Sequence, residues 1–119
     1  MSRLHTILLT DDEPDLREVV AETLAEAGYA VLTATDGHDA VRVLSENWVN
    51  LLITDVTMPG IDGFELARQA KVMRPSIGVI YVSGYVVHSA ESAGTTYGPV
   101  LQKPMRMRDL VAEVSRQLA

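Results

Sequence analysis

The sequence predicts a doubly wound α/β fold, a five-stranded parallel sheet with helices packed on both faces. Three observations lead there. Short apolar, β-rich runs alternate along the chain with segments of helical spacing, the rhythm of repeated βα units. These runs are apolar from end to end, so both faces of each strand must be covered, as happens between two helix layers. The chain has 119 residues, 47% of them hydrophobic, which suits one domain with a proper core and argues against wholesale disorder.

Each element can be read in turn. Thr6–Thr10 (TILLT) is a short strand that stops at Asp11-Asp12. From Pro14 to Ala27, Leu16, Val19, Val20, Leu24 and Ala27 recur at helical spacing. Pro14 suits a first helical turn, Asp15 and Glu18 favour the positive end of the helix dipole, and Gly28 is a natural stop. Ala30–Ala34 (AVLTA) is a second strand. Asp36 is placed to cap a helix from about Gly37 to Asn47, with Ala40, Val41 and Leu44 inward and Trp48 at its end as a packing residue.

Leu51–Thr54 (LLIT) is a third strand ending at Asp55, followed by a Pro-Gly-rich loop through Gly63. Phe64–Met73 is helical, and Pro75 prevents its continuation. Ile77–Val82 is a fourth strand, and Val100–Gln102 a short fifth. Met107–Leu118 is a last amphipathic helix with Leu110, Val111, Val114 and Leu118 on one side; it starts MRMRD, with Arg106 and Arg108 on its positive end as solvated surface and no obvious cap. Tyr85–Gly98 has small and β-branched residues, two glycines and no good cap, so a helix there should be short.

Composition excludes several functions. The formal charge is −6, from 16 Asp and Glu against 10 Lys and Arg, which disfavours nucleic-acid backbones and anionic membrane surfaces alike. With no Cys, disulfides, thiolate metal sites and cysteine nucleophiles are out. No apolar run approaches the roughly 18 residues that span a bilayer, and the N-terminal stretch is too short for a signal-peptide core. The expectation is a soluble, cytoplasmic, single-domain protein. His5, His38 and His88 share no metal-ligand spacing, and the Met residues read as core or loop filler.

In a doubly wound fold, ligands bind at the carboxyl ends of the strands. This sequence places Asp11 and Asp12 after the first strand, Asp55 after the third, Ser83 after the fourth and Lys103 after the fifth. Each piece alone is ordinary turn sequence; their convergence on one rim is a chemical constellation. Three packed carboxylates repel, so a proton or a cation must relieve them. All-oxygen ligands suit Mg²⁺ or Mn²⁺, and such a charge, together with Lys103, would draw a phosphoryl group to an otherwise negative site.

The stretches LLTDDEPD (8–15), LLITDVTMPGIDGFEL (51–66), VIYVSGY (79–85) and LQKPM (101–105) carry a resemblance. The sequence resembles the receiver domains of two-component response regulators, the family of the chemotaxis response regulator, across essentially residues 1–119. The resemblance implies strand order 2-1-3-4-5. It implies that Asp55 accepts a phosphoryl group from a histidine kinase or histidine phosphotransfer protein. It makes Asp12 a direct Mg²⁺ ligand, Asp11 an acid reaching the metal mainly through water, and the backbone carbonyl of Thr57 a further ligand beside Asp55. Ser83 takes the switch-hydroxyl position, and Lys103 pairs with Asp55 or its phosphoryl group. Thr57 and Tyr85 flank that group and tune attack by water, while Gly84 leaves room for a bulky donor. Leu16, Arg17 and Val20 become candidate donor contacts, with core packing the competing explanation for Leu16 and Val20.

The chain also departs from the family pattern. Val100 stands where an aromatic residue often couples the switch hydroxyl to the output face; Tyr97 is nearby, with loop packing its plainer role. Met105 follows the Lys-Pro pair where Phe is frequent, and the stretch from Ser83 to Lys103 is short. The expectation is a receiver without an output domain of its own, signalling through an effector protein as a monomer or weak dimer, unless it is a piece excised from a larger protein. The VSGY and LQKP wording is also similar to receivers attached to hybrid sensor kinases.

Competing functions fare worse. An aspartyl-phosphate phosphatase of the dehalogenase type needs a second Asp where Thr57 stands. A flavin binder needs a Ser/Thr/Gly cradle after the first strand, where DDEPD would repel phosphate. A receiver-like scaffold that is never phosphorylated would have little use for all five key residues. Six of the acids, Asp11, Asp12, Glu13, Asp15, Asp55 and Asp62, lie in or beside the predicted site, and without them acids and bases balance.

Overall fold

The computed structural model describes residues 4–84 and 97–119. Within them the chain runs β1 (Thr6–Thr10), α1 (Pro14–Glu26), β2 (Ala30–Ala34), α2 (Gly37–Glu46), β3 (Leu51–Asp55), α3 (Gly63–Met73), β4 (Gly78–Ser83), β5 (Val100–Gln102) and α4 (Met107–Leu118). All four strand pairings are parallel, in the order β2-β1-β3-β4-β5. The doubly wound expectation, including the strand order, holds. The expectation of a short helix within Tyr85–Gly98 falls mostly on 85–96, outside the described residues, as do the roles read for Tyr85 and His88.

Alternation along the strands explains their continuous apolarity. Ile7 and Leu9 of β1, Leu51 and Ile53 of β3, and Ile80 and Val82 of β4 join Val20 and Leu24 of α1 with Leu110 and Val114 of α4 on one face. On the other face, Leu8, Leu52, Val79 and Tyr81 pack with α2 and α3. With a side-chain period of two, a strand buried on both faces is apolar along most of its length, and the buried polar residues of these strands fall at their carboxyl ends, Thr10, Thr54, Asp55 and Ser83. Every residue of β3 is buried.

Local signals set the ends. Pro14 opens α1, and the chain leaves that helix through Gly28 at φ +103°, a left-handed conformation that Gly adopts without steric cost. Asp36 and Asp62 each accept a hydrogen bond, from the amides of Asp39 and Glu65 at 2.8 Å, capping α2 and α3. As expected, no side chain caps α4, and Arg106 and Arg108 are exposed.

The structure corrects several details. Strand β4 starts at Gly78 and includes Ser83, one residue later at each end than the pattern implied. On α2 the buried apolar face also includes Val43. On α1, Val19 is half exposed because Val20 and Leu24 already fill the face toward the sheet. Trp48 is not a core packing residue: it is 66% exposed and lies under the Arg74 guanidinium, 3.7 Å from its ring centre. Helix α2 has ended two residues earlier, so nothing in its helical face carries the indole inward.

Candidate functional site

Register brings the chemistry together. Thr10, the last residue of β1, pairs with Thr54; Asp55 pairs with Val82; Ser83 pairs with Gln102. Asp11, Asp55, Ser83 and Lys103 are therefore successive occupants of one rim. Backbone hydrogen bonds hold it, from Val56 to the Val82 carbonyl at 2.9 Å and from Lys103 to the Ser83 carbonyl at 2.7 Å.

Lys103 is the centre of the site. Its Nζ lies 3.1 Å and 3.2 Å from the two oxygens of Asp55, and 3.5 Å from both an Asp11 and a Glu13 oxygen. Carboxylate oxygens of Asp11, Asp12 and Asp55 lie within 4.8 Å of one another. Asp11 and Asp55 are buried, while Asp12 is exposed. Asp11 is fixed from two sides, its Oδ1 accepting the Glu13 amide at 2.9 Å and its carbonyl accepting Arg17 Nη1 at 2.7 Å.

The electrostatics follow from burial. Loss of solvent, and then the neighbouring Asp11 charge, push the Asp55 carboxyl up to about 6 even against the opposing pull of Lys103. For Lys103, burial alone would lower the ammonium pKa, but the hydrogen bond and charge of Asp55, with Asp11 and Glu13 behind it, leave it raised. Lys103 faces three carboxylates, and Asp12 stands beside them. The donor set is all oxygen, clustered and under-compensated, which fits a hard divalent cation.

The carboxylates are reachable. A cavity of about 340 Å³ is lined by Asp12, Glu13, Asp55, Thr57, Gly84 and Lys103. A Cβ on Gly84 would meet no atom of the described residues within 4 Å. Beneath the rim, Gly63 lies so close that a Cβ would stand 2.2 Å from the Asp55 carbonyl oxygen, and its amide donates to the Val56 carbonyl at 2.8 Å. Only glycine lets α3 start this near the end of β3.

A family model for the response regulator receiver domain matches residues 7–115. The chain belongs to the response regulator receiver family. The response regulator receiver protein CpdR of Brucella abortus is 37% identical over 117 residues, spanning 97% of this chain and 98% of that one. Among solved structures, the receiver domain of the hybrid histidine kinase CckA is 37% identical with a TM-score of 0.84, covering 96% of this chain and 99% of that one. The response regulator TrrA of Thermotoga maritima, in complex with Mg(2+)-BeF, is 29% identical with a TM-score of 0.87 and covers 96% and 99%. This receiver is thus a signalling domain of two-component systems, a class that takes phosphoryl groups from histidine kinases. Among its described residues no helix is long and apolar enough to cross a membrane.

The receiver's rim gathers Asp11, Asp12, Asp55, Thr57, Ser83, Gly84 and Lys103 as the sequence reading expected; Tyr85 lies outside the described residues. Ser83 is buried at the last position of β4. Of the candidate donor contacts, Val20 is buried in the core and is no surface residue, whereas Leu16 lines a cavity of about 360 Å³ beside the rim with Glu13, Pro104, Met105 and Met107. Glu13 was given no role by sequence reasoning. It touches Lys103 and lines both cavities, and its signal was a third acid directly after the pair.

Proposed function

We propose that Asp55 of this receiver is the phosphoacceptor, taking a phosphoryl group from the phosphohistidine of a kinase or histidine phosphotransfer protein. The observation that carries this reading is the placement of Asp55: a buried carboxylate at a strand end, both oxygens on Lys103, facing an open cavity beside two further carboxylates. A carboxylate oxygen attacks phosphorus, the O–P bond forms as the N–P bond breaks, and the electron pair leaves with the donor imidazole. The product is an acyl phosphate.

The chain's own residues align and neutralise this transfer. Lys103, already on both Asp55 oxygens, moves its charge to the incoming phosphoryl oxygens. Ser83, at the end of β4, turns its hydroxyl toward them, while Thr57 and Gly84 at the cavity wall shape access for the donor and for water. Asp11, Asp12, Asp55 and the Thr57 carbonyl would hold Mg²⁺, with Mn²⁺ as a substitute. Bound there, the ion would neutralise the carboxylates and the phosphoryl oxygens. The Mg(2+)-BeF complex of the relative TrrA supports this choice.

Phosphorylation then shifts a two-state equilibrium, because the new charge is bound by Lys103 and Ser83 in only one of the states. An effector protein reads that shift. The net charge supports a cytoplasmic domain that contacts neither nucleic acid nor membrane and works as a monomer or weak dimer. Thr57 stands where a phosphatase would need its second Asp, and the complete rim disfavours an unphosphorylated scaffold. Incubation with Mg²⁺ and acetyl phosphate tests the assignment: one phosphoryl mass should appear on the wild type and be absent from Asp55→Asn. Labelling that survives in Asp55→Asn would move the acceptor elsewhere.

A further inference from the structure

We propose a second docking surface at the opposite end of the sheet, around Trp48 and Arg74, whose occupant is a peptide segment carrying an aromatic or aliphatic side chain beside a carboxylate. It does not depend on the assignment of Asp55.

Trp48 is the only tryptophan of the chain and is 66% exposed, in the turn between α2 and β3. Its ring is not loose. The Arg74 guanidinium lies 3.7 Å from the ring centre, and Arg74 Nη1 donates to the Val49 carbonyl at 3.4 Å, so the stack is tied to the start of β3. A side chain held in place before binding loses little freedom on binding. Beside it opens a groove of about 510 Å³ lined by Leu4, His5, Thr6, Trp48 and Asn50, in which Leu4 is also 66% exposed. A fixed indole, an apolar wall and polar edges form the kind of pocket in which a few residues carry most of the binding energy, with Trp and Arg prominent among them.

Charge selects the occupant. The chain carries −6 overall, yet among the described residues no carboxylate lines this groove, and Arg74, stacked on the groove's Trp48, forms no ion pair with any described residue. A stacked guanidinium keeps N–H donors free in its plane, in the fork that matches a carboxylate. A basic segment would be repelled here, and a purely apolar one would leave the guanidinium uncompensated. An acidic segment with one large apolar side chain answers both. The groove sits at the amino ends of β1 and β3, a strand's length of roughly 17 Å from the acidic rim, so both sites can be filled at once.

Selection of random linear peptides displayed on phage against the immobilised protein tests this. Wild type should enrich sequences with an aromatic or aliphatic residue next to Asp or Glu. The synthetic winner should change the emission of the single tryptophan saturably. Its affinity should fall about tenfold or more in Trp48→Ala and in Arg74→Glu, the loss expected of hot-spot side chains. Both variants should keep the wild-type circular dichroism and bind beryllofluoride with Mg²⁺ as wild type does. Basic or purely apolar winners, winners that bind Trp48→Ala equally well, or a dimer in solution that Trp48→Ala dissolves would each overturn the proposal, the last in favour of a second copy of the chain.

Discussion

Asp55 is held in a state that its own charge opposes. Its carboxyl is raised to about 6 by burial and by Asp11, against an unfolded value of 3.8. Between those two values the folded state binds more protons than the unfolded state, so metal-free protein loses stability as pH rises through that window and stays at the lower level above it. At about 1.4 kcal/mol per unit the effect is on the order of 2–3 kcal/mol. Asp55→Asn should therefore be more stable than wild type near neutrality by on the order of 2 kcal/mol, with the gap closing toward about pH 4. Urea denaturation in chelator at several pH values checks this. A gap that does not change with pH would assign the difference to shape rather than charge.

At the scale of single elements, capping separates the helices. Helices α2 and α3 start on Asp36 and Asp62, whose side chains satisfy first-turn amides; α4 starts on Arg106, which has extended backbone and no cap bond. Replacing Asp62 with Ala should cost about 1 kcal/mol, and Arg106→Asp should gain about as much by supplying the missing acceptor and a favourable charge. Opposite shifts in thermal midpoint, read by circular dichroism, are the expected result. Gly63→Ala should do more harm than the loss of the Asp62 cap, because its Cβ would meet the Asp55 carbonyl oxygen at 2.2 Å; it should lower both stability and phosphorylation, since it presses on the backbone of the acceptor itself. The ends of α1 and the start of α2 were legible because Pro at a first helical position, Gly after a helix and Asp before a helical pattern act locally, whereas Asp62 read only as part of the loop before α3 and its capping role came from the structure. The exposure of Trp48 was not legible. It follows from α2 ending before Trp48, and the ring's partner, Arg74, is 26 positions away, while residue type alone argued for the interior. Val43 escaped for a similar reason: the width of the buried face of α2 depends on α3 packed against it.

For the molecule as a whole, parallel strands point every carboxyl end the same way, and that polarity is why a site made of scattered residues could be read from one sequence. Asp11, Asp55, Ser83 and Lys103 needed only the strand ends to be placed. What strand ends cannot reveal is how one cation is divided among its neighbours, and Lys103 proves to serve Glu13 as well as Asp11 and Asp55. This sharing has a consequence for metal binding. If Lys103 and a divalent cation relieve the same repulsion, their stabilising effects are not additive, because each reduces what remains for the other to relieve. Lys103→Met should destabilise metal-free protein by about 3 kcal/mol, as expected when buried charges lose their partner. Saturating Mg²⁺ should raise the thermal midpoint of wild type by a few degrees, the size expected for a ligand at about ten times its dissociation constant. It should raise Lys103→Met by clearly more and Asp12→Asn by less. Thermal melts of the three proteins with Mg²⁺ and with chelator distinguish the cases. Equal Mg²⁺ shifts in wild type and Lys103→Met would mean that lysine and metal act on separate charges, and the shared rim would have to be redrawn.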